Sequence, residues 1–134
     1  MIKLIVGTKG HGKTKIMLDS VHAAVEATKG HVVVIEKGMQ LTYDLDHAAR
    51  LIDMDEYKIE GSEMLYGFVA GVLAGDYDIT DLYVDGILKV LKQDLNQLGV
   101  VLDEIAAIAG DSVNVCVTVS AAQETLPANV KKYL

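Results

Sequence analysis

Apolar and polar residues alternate between two kinds of segment along the chain. Short, continuous apolar runs lie at residues 2–6, 32–36, 80–85 and 113–119. Such runs are typical of strands that are buried on both faces of a parallel sheet. Between them, apolar residues recur every three or four positions, as on one face of a helix. The pattern predicts an α/β domain in three layers, with four or five mostly parallel strands and helices on both faces.

Two long helices separate the first three of these runs. The first should extend from about Lys13 to Thr28, and the second from Glu63 to about Leu73. The first helix would place its apolar residues on one face: Ile16, Met17, Val21, Ala24 and Val25. Between the helices, Arg50–Ile52 is a candidate short strand, and the stretch from Gln40 to His47 is expected to be a loop or a short helix.

Glycines repeat every four residues in the second helix, at Gly67, Gly71 and Gly75. A glycine inside a helix costs about 1 kcal/mol relative to alanine, so close packing should require it. We therefore expect this face of the helix to pack against the sheet.

The segment Gly7–Thr14 fits the phosphate-binding pattern G-x-x-x-x-G-K-[ST], with Gly7, Gly12, Lys13 and Thr14 in its fixed positions. A chance match in a chain of this length is expected on the order of half a percent of the time. Glycines let backbone N–H groups surround an anion at the positive end of the following helix. Lys13 would bind the β- and γ-phosphates, and the Thr14 hydroxyl would bind Mg²⁺.

Three neighbouring residues, Gly10, His11 and Lys15, complete the expected nucleotide contacts of this loop. The alternative interpretation of the segment is a glycine-rich turn that joins a strand to a helix.

A second chemical element is the apolar strand that ends in Asp85. At the carboxyl end of a strand beside the phosphate loop, an aspartate can hold Mg²⁺ directly or through water, which is the Walker B role. Val100–Glu104 has a similar appearance, but the periodicity around it predicts a helix with Asp103 and Glu104 exposed to solvent. Its apolar residues recur at helical spacing: Leu91, Leu95, Leu98, Leu102, Ile105 and Ile108.

The strand at 113–119 should bring Ser120 to the same edge of the sheet, where a polar side chain can sense the γ-phosphate. A turn or helix-capping serine is the alternative role for this residue.

Composition bounds the function. The 134 residues suit a single domain, residues 1–134. The net charge of −7, with eleven lysines that form no cluster in the sequence, argues against a nucleic-acid partner. No apolar run reaches the 18 or so residues of a membrane span, and a secretory signal is not expected, because the first strand and the glycine-rich loop begin at residue 2. Cys116 is expected to be a buried thiol, and the chain is expected to be cytoplasmic.

Several segments resemble the P-loop NTPase superfamily and, within it, small uncharacterised bacterial ATP-binding proteins, some labelled twitching motility protein PilT. The similar segments are GTKGHGKT, YDLDHAAR at Tyr43–Arg50, DYDITDLYVDGIL at Asp76–Leu88 and the ending TVSAAQETLPANVKKYL. The resemblance implies ATP and Mg²⁺ as ligands. The chain departs from the pattern at Gly86, where many ATPases of this superfamily have a catalytic glutamate, and we expect slow hydrolysis.

Glu36, at the end of the second strand, is the expected substitute for that glutamate. The alternative is an ordinary carboxylate at the end of a strand, facing solvent. Lys13, Asp85 and Glu36 are thus the predicted catalytic residues.

Three functions stay open: an ATPase or ATP-driven switch, a small-molecule kinase, and a nucleotide-binding subunit without turnover. A kinase usually clamps the transferred group with several arginines, and this chain has only Arg50 and no long basic lid. ATP is favoured over GTP because the chain lacks an Asn-Lys-x-Asp motif. Arg50 is either a surface residue in a local salt bridge or a residue that reaches a nucleotide site in a neighbouring subunit. The protein partner, including a second copy of the chain, is also left open.

Overall fold

The computed structural model describes residues 1–10, 12–38 and 44–134. Within these ranges the strands are β1 Ile2–Val6, β2 His31–Glu36, β3 Arg50–Asp53, β4 Ile79–Asp85 and β5 Asn114–Val119. The helices are α1 Lys13–Ala27, α2 Gly61–Gly75, α3 Ile87–Val90, α4 Leu95–Ala109 and α5 Ala128–Lys131, with a 3₁₀ turn at Gln123–Thr125. The predicted strands are confirmed, including the short strand that begins at Arg50.

All strand pairs in the described sheet are parallel, in the order β1-β5-β4-β2-β3. The prediction of an α/β fold with a parallel sheet is therefore confirmed. Because the strands are parallel, their carboxyl ends meet at one edge, which we call the loop edge. There β5 lies between β1 and β4.

Helices cover both faces of the sheet, and alternate residues of each strand pack on opposite sides. Val32 and Val34 of β2 join a cluster with Met17 and Val21 of α1. Val33 and Ile35 face the other way, into a larger cluster that includes residues of α2 and α4. Continuous apolar strands are required here because neither face of the sheet is exposed to water.

The buried face of helix α1 is narrower than the face that its apolar residues define in the sequence. Met17 and Val21 have no exposed surface, but Ile16 is 54% exposed. Ile16 thus lies at the border of the buried face. The Tyr83 hydroxyl of β4 and the Ser20 hydroxyl are 2.8 Å apart, which also fixes α1 against the sheet.

The segment around Asp103 is helical, as its periodicity predicted. Leu98, Leu102 and Ile105 of α4 are fully buried, and the Asp94 side chain caps the helix by accepting from two backbone N–H groups. Asp103 is exposed but has partners, since it accepts a hydrogen bond from the Tyr133 hydroxyl and forms an ion pair of 2.8 Å with Lys132. It holds the chain terminus against α4.

The glycine stripe of α2 does not pack on the sheet, so that prediction is wrong. Gly67, Gly71 and Gly75 are exposed, and a Cβ added at each would have no atom within 4 Å. The helix packs instead through Leu65 and Val69, which are fully buried. The four-residue glycine spacing falls on the opposite face of the same helix.

Cys116 is 8% exposed, as predicted, and burial raises the pKa of its thiol to about 11. Within the described ranges, no helix has both the length and the apolar character needed to cross a bilayer.

An ion pair joins the start of β2 to the connection between α2 and β4, at the edge of the sheet away from the loop edge. His31 Nδ1 lies 2.7 Å from Asp76 Oδ2. The hydrogen bond to Asp76 raises the pKa of His31, and the same bond lowers the pKa of Asp76. The folded state therefore prefers protonated His31 and ionised Asp76.

We expect the stability that His31 contributes to depend on pH. A raised histidine pKa stabilises the fold fully below the unfolded value of about 6.5, and this contribution is lost as pH rises through the folded value. Asp76 keeps its contribution until pH falls below its usual pKa. Urea unfolding of the wild type and His31→Gln should therefore show a larger difference in free energy of unfolding at pH 5.5 than at pH 8.5. His47→Gln is the control, and equal differences at both pH values for His31→Gln would contradict this assignment.

Candidate functional site

The glycine-rich loop begins at the loop edge and is tied to the neighbouring strand. Its first residue, Gly7, donates a backbone hydrogen bond of 3.2 Å to the Val119 carbonyl of β5. Gly10 and Gly12 have φ angles of 87° and 80°, in a region that side chains with a Cβ disfavour. The chain then enters α1 at Lys13. The predicted order of strand, loop and helix is present.

Within the part of the chain that the structure describes, the first N–H groups at the amino end of α1 find no acceptor. The N-cap residue, Gly12, makes no side-chain hydrogen bond, and no acidic residue lies in the first turn. Elsewhere, α4 is capped by Asp94, and α2 has Glu63 in its first turn. Among the described residues, the backbone N–H groups of Lys13, Thr14 and Lys15 have no hydrogen-bond acceptor. This end of α1 is thus electrostatically suited to an anion.

A cleft of about 390 Å³ lies between the loop and the segment after β4. Residues from the loop, from α1 and from the ends of β4 and β5 line it together, among them Gly10, Lys13, Thr14, Asp85 and Ser120. The Lys13 amine donates a 3.1 Å hydrogen bond to the Thr8 carbonyl of the same loop. The fold thus brings the two predicted metal-binding residues, Thr14 and Asp85, into one cleft.

Asp85 is supported by a neighbouring strand. The buried Thr118 hydroxyl donates a hydrogen bond to Asp85 Oδ1. Thr118 precedes the predicted sensor, Ser120, by two residues, and both residues line the cleft. Sequence reasoning favoured Ser120, and the role of Thr118 becomes visible only when β5 is seen beside β4.

Glu36 lies in register with Asp85 on the adjacent strand, and Asp53 is its partner on the other side. Neighbouring side chains in register point to the same face of a parallel sheet. Glu36 has no exposed surface, so the interpretation of Glu36 as a solvent-facing carboxylate is wrong. It lies beside Asp85 without lining the cleft.

The structure gives a reason for a glycine at position 86. Its φ angle is 84°, and an added Cβ would lie 3.2 Å from both the Cβ and the carbonyl oxygen of Lys37. A glutamate at this position would therefore need a backbone shift where β4 leaves the sheet.

Three lysines from separate parts of the chain meet in the cleft, although no cluster of lysines is visible in the sequence. Lys9 and Lys13 come from the loop, and Lys89 comes from α3. Among the described charged residues that line the cleft, only Asp85 carries the opposite charge. Gln93, four residues after Lys89, lines the same cleft. The sequence contains a signal for Lys89, because it follows the end of β4 by about one helical turn. A residue at that distance stays near the same edge of the sheet.

A second cavity, of about 750 Å³, lies on the other side of the loop. At the loop edge it is lined by Gly10, Gly12, Lys13 and Thr14. Further from this edge it is lined by Leu18 and His22 of α1 and by Asp46. Lys15 lines this cavity and not the cleft, and its amine pairs with Asp19 at 3.1 Å. His11, a predicted nucleotide contact, lies outside the described residues, as does Tyr43 of the similar segment Tyr43–Arg50.

Arg50 begins the edge strand β3, and no described carboxylate lies within ion-pair distance of it. It pairs with Val33, three residues before Glu36 on β2. At about 3.3 Å per residue and 4.8 Å per strand, it is about 10 Å below the loop edge, about 10 Å across the sheet from β4 and about 19 Å from β1. Arg50 is a strand residue that does not line the cleft of its own chain.

A scan against protein-family models finds no match, and no curated protein is detectably similar to this chain. The function is therefore argued from the geometry of the cleft.

We expect Gly86→Ala to destabilise the fold more than a matched glycine substitution. Gly61 has a similar φ angle of 81° but no atom within 4 Å of an added Cβ. Gly61→Ala should cost about 1–2 kcal/mol through backbone strain. Gly86→Ala should cost at least about 1 kcal/mol more, because its Cβ also meets Lys37. Denaturant unfolding measures both, and equal losses would show that contact with Lys37 does not constrain position 86.

Proposed function

We propose that this chain is an Mg²⁺-dependent ATP-binding protein of the P-loop NTPase class, which hydrolyses ATP slowly or uses it as a conformational switch. The observation that carries the proposal is the meeting of three features in one cleft. These are the uncapped amino end of α1, the Lys13 amine, and the pair of oxygen ligands on Thr14 and Asp85. A nucleoside triphosphate bound to Mg²⁺ complements all three.

The residues of the cleft suit Mg²⁺ chemically. Hydroxyl and carboxylate oxygens are hard ligands, and Mg²⁺ in nucleotide sites commonly uses one or two protein oxygens together with phosphate oxygens and water. Thr118 donates to Oδ1 of Asp85, and the other carboxylate oxygen is left for the ion. When bound, the ion would neutralise charge on the β- and γ-phosphates.

The two cavities beside the loop suit a long ligand. Gly10, Lys13 and Thr14 line both, so a triphosphate that follows the loop can place its end in the cleft and its nucleoside along α1. The lining of the second cavity is apolar at Leu18 of α1 and acidic at Asp19 of α1 and at Asp46, which lies between β2 and β3. Carboxylates can accept hydrogen bonds from ribose hydroxyls or from the amino group of a base.

Glu36 is the proposed base for the attacking water. It adjoins Asp85 in register, and a glutamate directly after Asp85 is opposed by the close approach of Lys37 to Gly86. Because Glu36 is fully buried, a small movement of the loop edge is needed before it can accept a proton from a water in the cleft. This requirement agrees with slow turnover.

The proposal predicts that Mg·ATP stabilises the protein through Lys13. At 100 times its dissociation constant, ligand adds about 2.7 kcal/mol to the free energy of unfolding. The melting temperature should then rise by roughly 5–10 °C. Lys13→Ala should lose most of this shift, because the loop N–H groups would bind the phosphates without the lysine charge.

Lys29→Ala is the matched control, since Lys29 is an exposed lysine just beyond the other end of α1. Thermal denaturation with and without Mg·ATP compares the variants. A wild-type shift of full size in Lys13→Ala would leave Gly7–Thr14 as a simple turn and refute the proposed function.

Glu36→Gln should separate binding from turnover. The amide keeps the shape of the side chain but cannot accept the proton, so ATP hydrolysis should fall by about 10²-fold or more, while Mg·ATP binding persists. Phosphate release and isothermal titration measure the two effects. Unchanged hydrolysis in Glu36→Gln would remove Glu36 from the reaction and leave the binding proposal intact.

A further inference from the structure

The segment after Asp85 is anchored to the core and presents one charged side chain to the cleft. Ile87, Leu88 and Val90 of α3 are 0%, 4% and 1% exposed. Lys89 is exposed and lines the cleft. Since its neighbours on both sides are buried, the Cα atom of Lys89 is fixed relative to the sheet while its amine remains accessible.

The turn after α3 holds this segment in an unusual backbone conformation. Lys92 and Gln93 have φ angles of 54° and 66°, a left-handed region that residues with a Cβ rarely adopt. The Gln93 N–H donates a 2.8 Å hydrogen bond to the Leu88 carbonyl and closes the turn. Consecutive strained residues are often found at functional sites, and this turn places Gln93 in the cleft beside Lys89.

The Lys89 amine lies near the strand ends that carry the carboxylates. A Cβ on Gly38 would be 3.9 Å from Lys89 Nζ, and Gly38 follows Glu36 by two residues. Along the sheet, β2 is separated by β4 and β5 from β1, which leads into the loop and Lys13. Lys13 and Lys89 therefore approach the cleft from different sides.

The charge of Lys89 is not neutralised within the described part of the chain. Lys15, Lys37 and Lys132 each pair with a nearby carboxylate, respectively Asp19, Asp55 and Asp103. Lys9, Lys13 and Lys89 form no ion pair with a described carboxylate, although the protein has 19 acidic residues and 12 basic ones. Like charges in a shared cleft repel each other, and an anion between them would offset that repulsion.

We propose that Lys89 is a catalytic residue that binds the terminal phosphate and neutralises the charge that develops on it, from within the same chain. The proposal rests on the proposed function. In hydrolysis, the water oxygen forms a bond to the γ-phosphorus, and the bond from that phosphorus to the β–γ bridging oxygen breaks. The bridging oxygen keeps the electron pair as part of ADP, and the proton of the water passes to Glu36.

Lys89 takes the part that an arginine would take in a faster enzyme of this class. Arg50 does not line its own cleft, because it lies at the amino end of edge strand β3, two strands away from β4. A lysine that contacts the nucleotide of its own chain needs no second subunit to act. The hydrolysis rate per subunit should therefore be independent of protein concentration.

The test compares Lys89→Gln with Lys92→Gln, which removes the same charge three residues away on a side chain that does not line the cleft. Lys89→Gln should lower ATP hydrolysis by about 10²-fold, the usual effect of removing one donor to transition-state charge. Its affinity for ADP should stay within about twofold of the wild-type value, because ADP lacks the terminal phosphate. Lys89→Arg should recover part of the rate.

A second readout does not depend on turnover. ADP with aluminium fluoride and Mg²⁺ imitates the phosphoryl group during transfer, and titration should show that Lys89→Gln weakens this complex about 10²-fold while Lys92→Gln leaves it unchanged. Wild-type affinity for the complex in Lys89→Gln, or equal losses in both variants, would overturn the role of Lys89. ATP binding would persist in that outcome, whereas a wild-type protein that binds no nucleotide would overturn the proposed function itself.

Discussion

The parallel arrangement of β1, β5 and β4 is the constraint on which the candidate site depends. Parallel strands end together, so Val6, Val119 and Asp85 reach the same edge although more than a hundred residues separate the first two. The loop and the carboxylate then reach one cleft although their own strands do not pair, because β5 lies between them. Thr118 on β5 bridges this gap through its hydrogen bond to Asp85. An antiparallel β5 would send Thr118 to the opposite edge.

The charge of the cleft is opposite in sign to the net charge of the protein. The net charge is −7, yet the cleft gathers Lys9, Lys13 and Lys89 around the uncapped end of α1. Backbone N–H groups and ammonium groups both favour an anion, and the helix places the first directly beside the second.

The chain between β4 and α4 is shaped by backbone constraints more than by sequence pattern. Gly86 turns the chain with a φ of 84°, where a Cβ would lie only 3.2 Å from Lys37. Buried residues of α3 then fix the position of the segment, and the Lys92–Gln93 turn returns the chain to α4. Each step limits where Lys89 can lie. The glycine at position 86 and the location of Lys89 at the cleft thus both depend on one tightly packed connection.

Local pattern determined much of this fold from the sequence. Apolar runs marked the strands, the glycine-rich loop marked the start of α1, and the three-to-four residue repeat identified α4 around Asp103, because these signals depend on residues close together in the chain. They also located Lys13, Thr14 and Asp85 in a common region, because parallel strands share an edge. The tertiary structure alone decided the features that depend on distant partners.

Glu36 illustrates those features, since its burial comes from neighbouring strands. The α2 glycines illustrate them too, since a repeat cannot specify which helix face meets the core. Arg50 could not be placed until β3 was seen at the sheet edge. The three lysines of the cleft are separated by up to 80 positions and become neighbours only when β1 and β4 align in one sheet. Sequence spacing carries no distance across a fold, whereas strand order and register fix it to within a few ångströms.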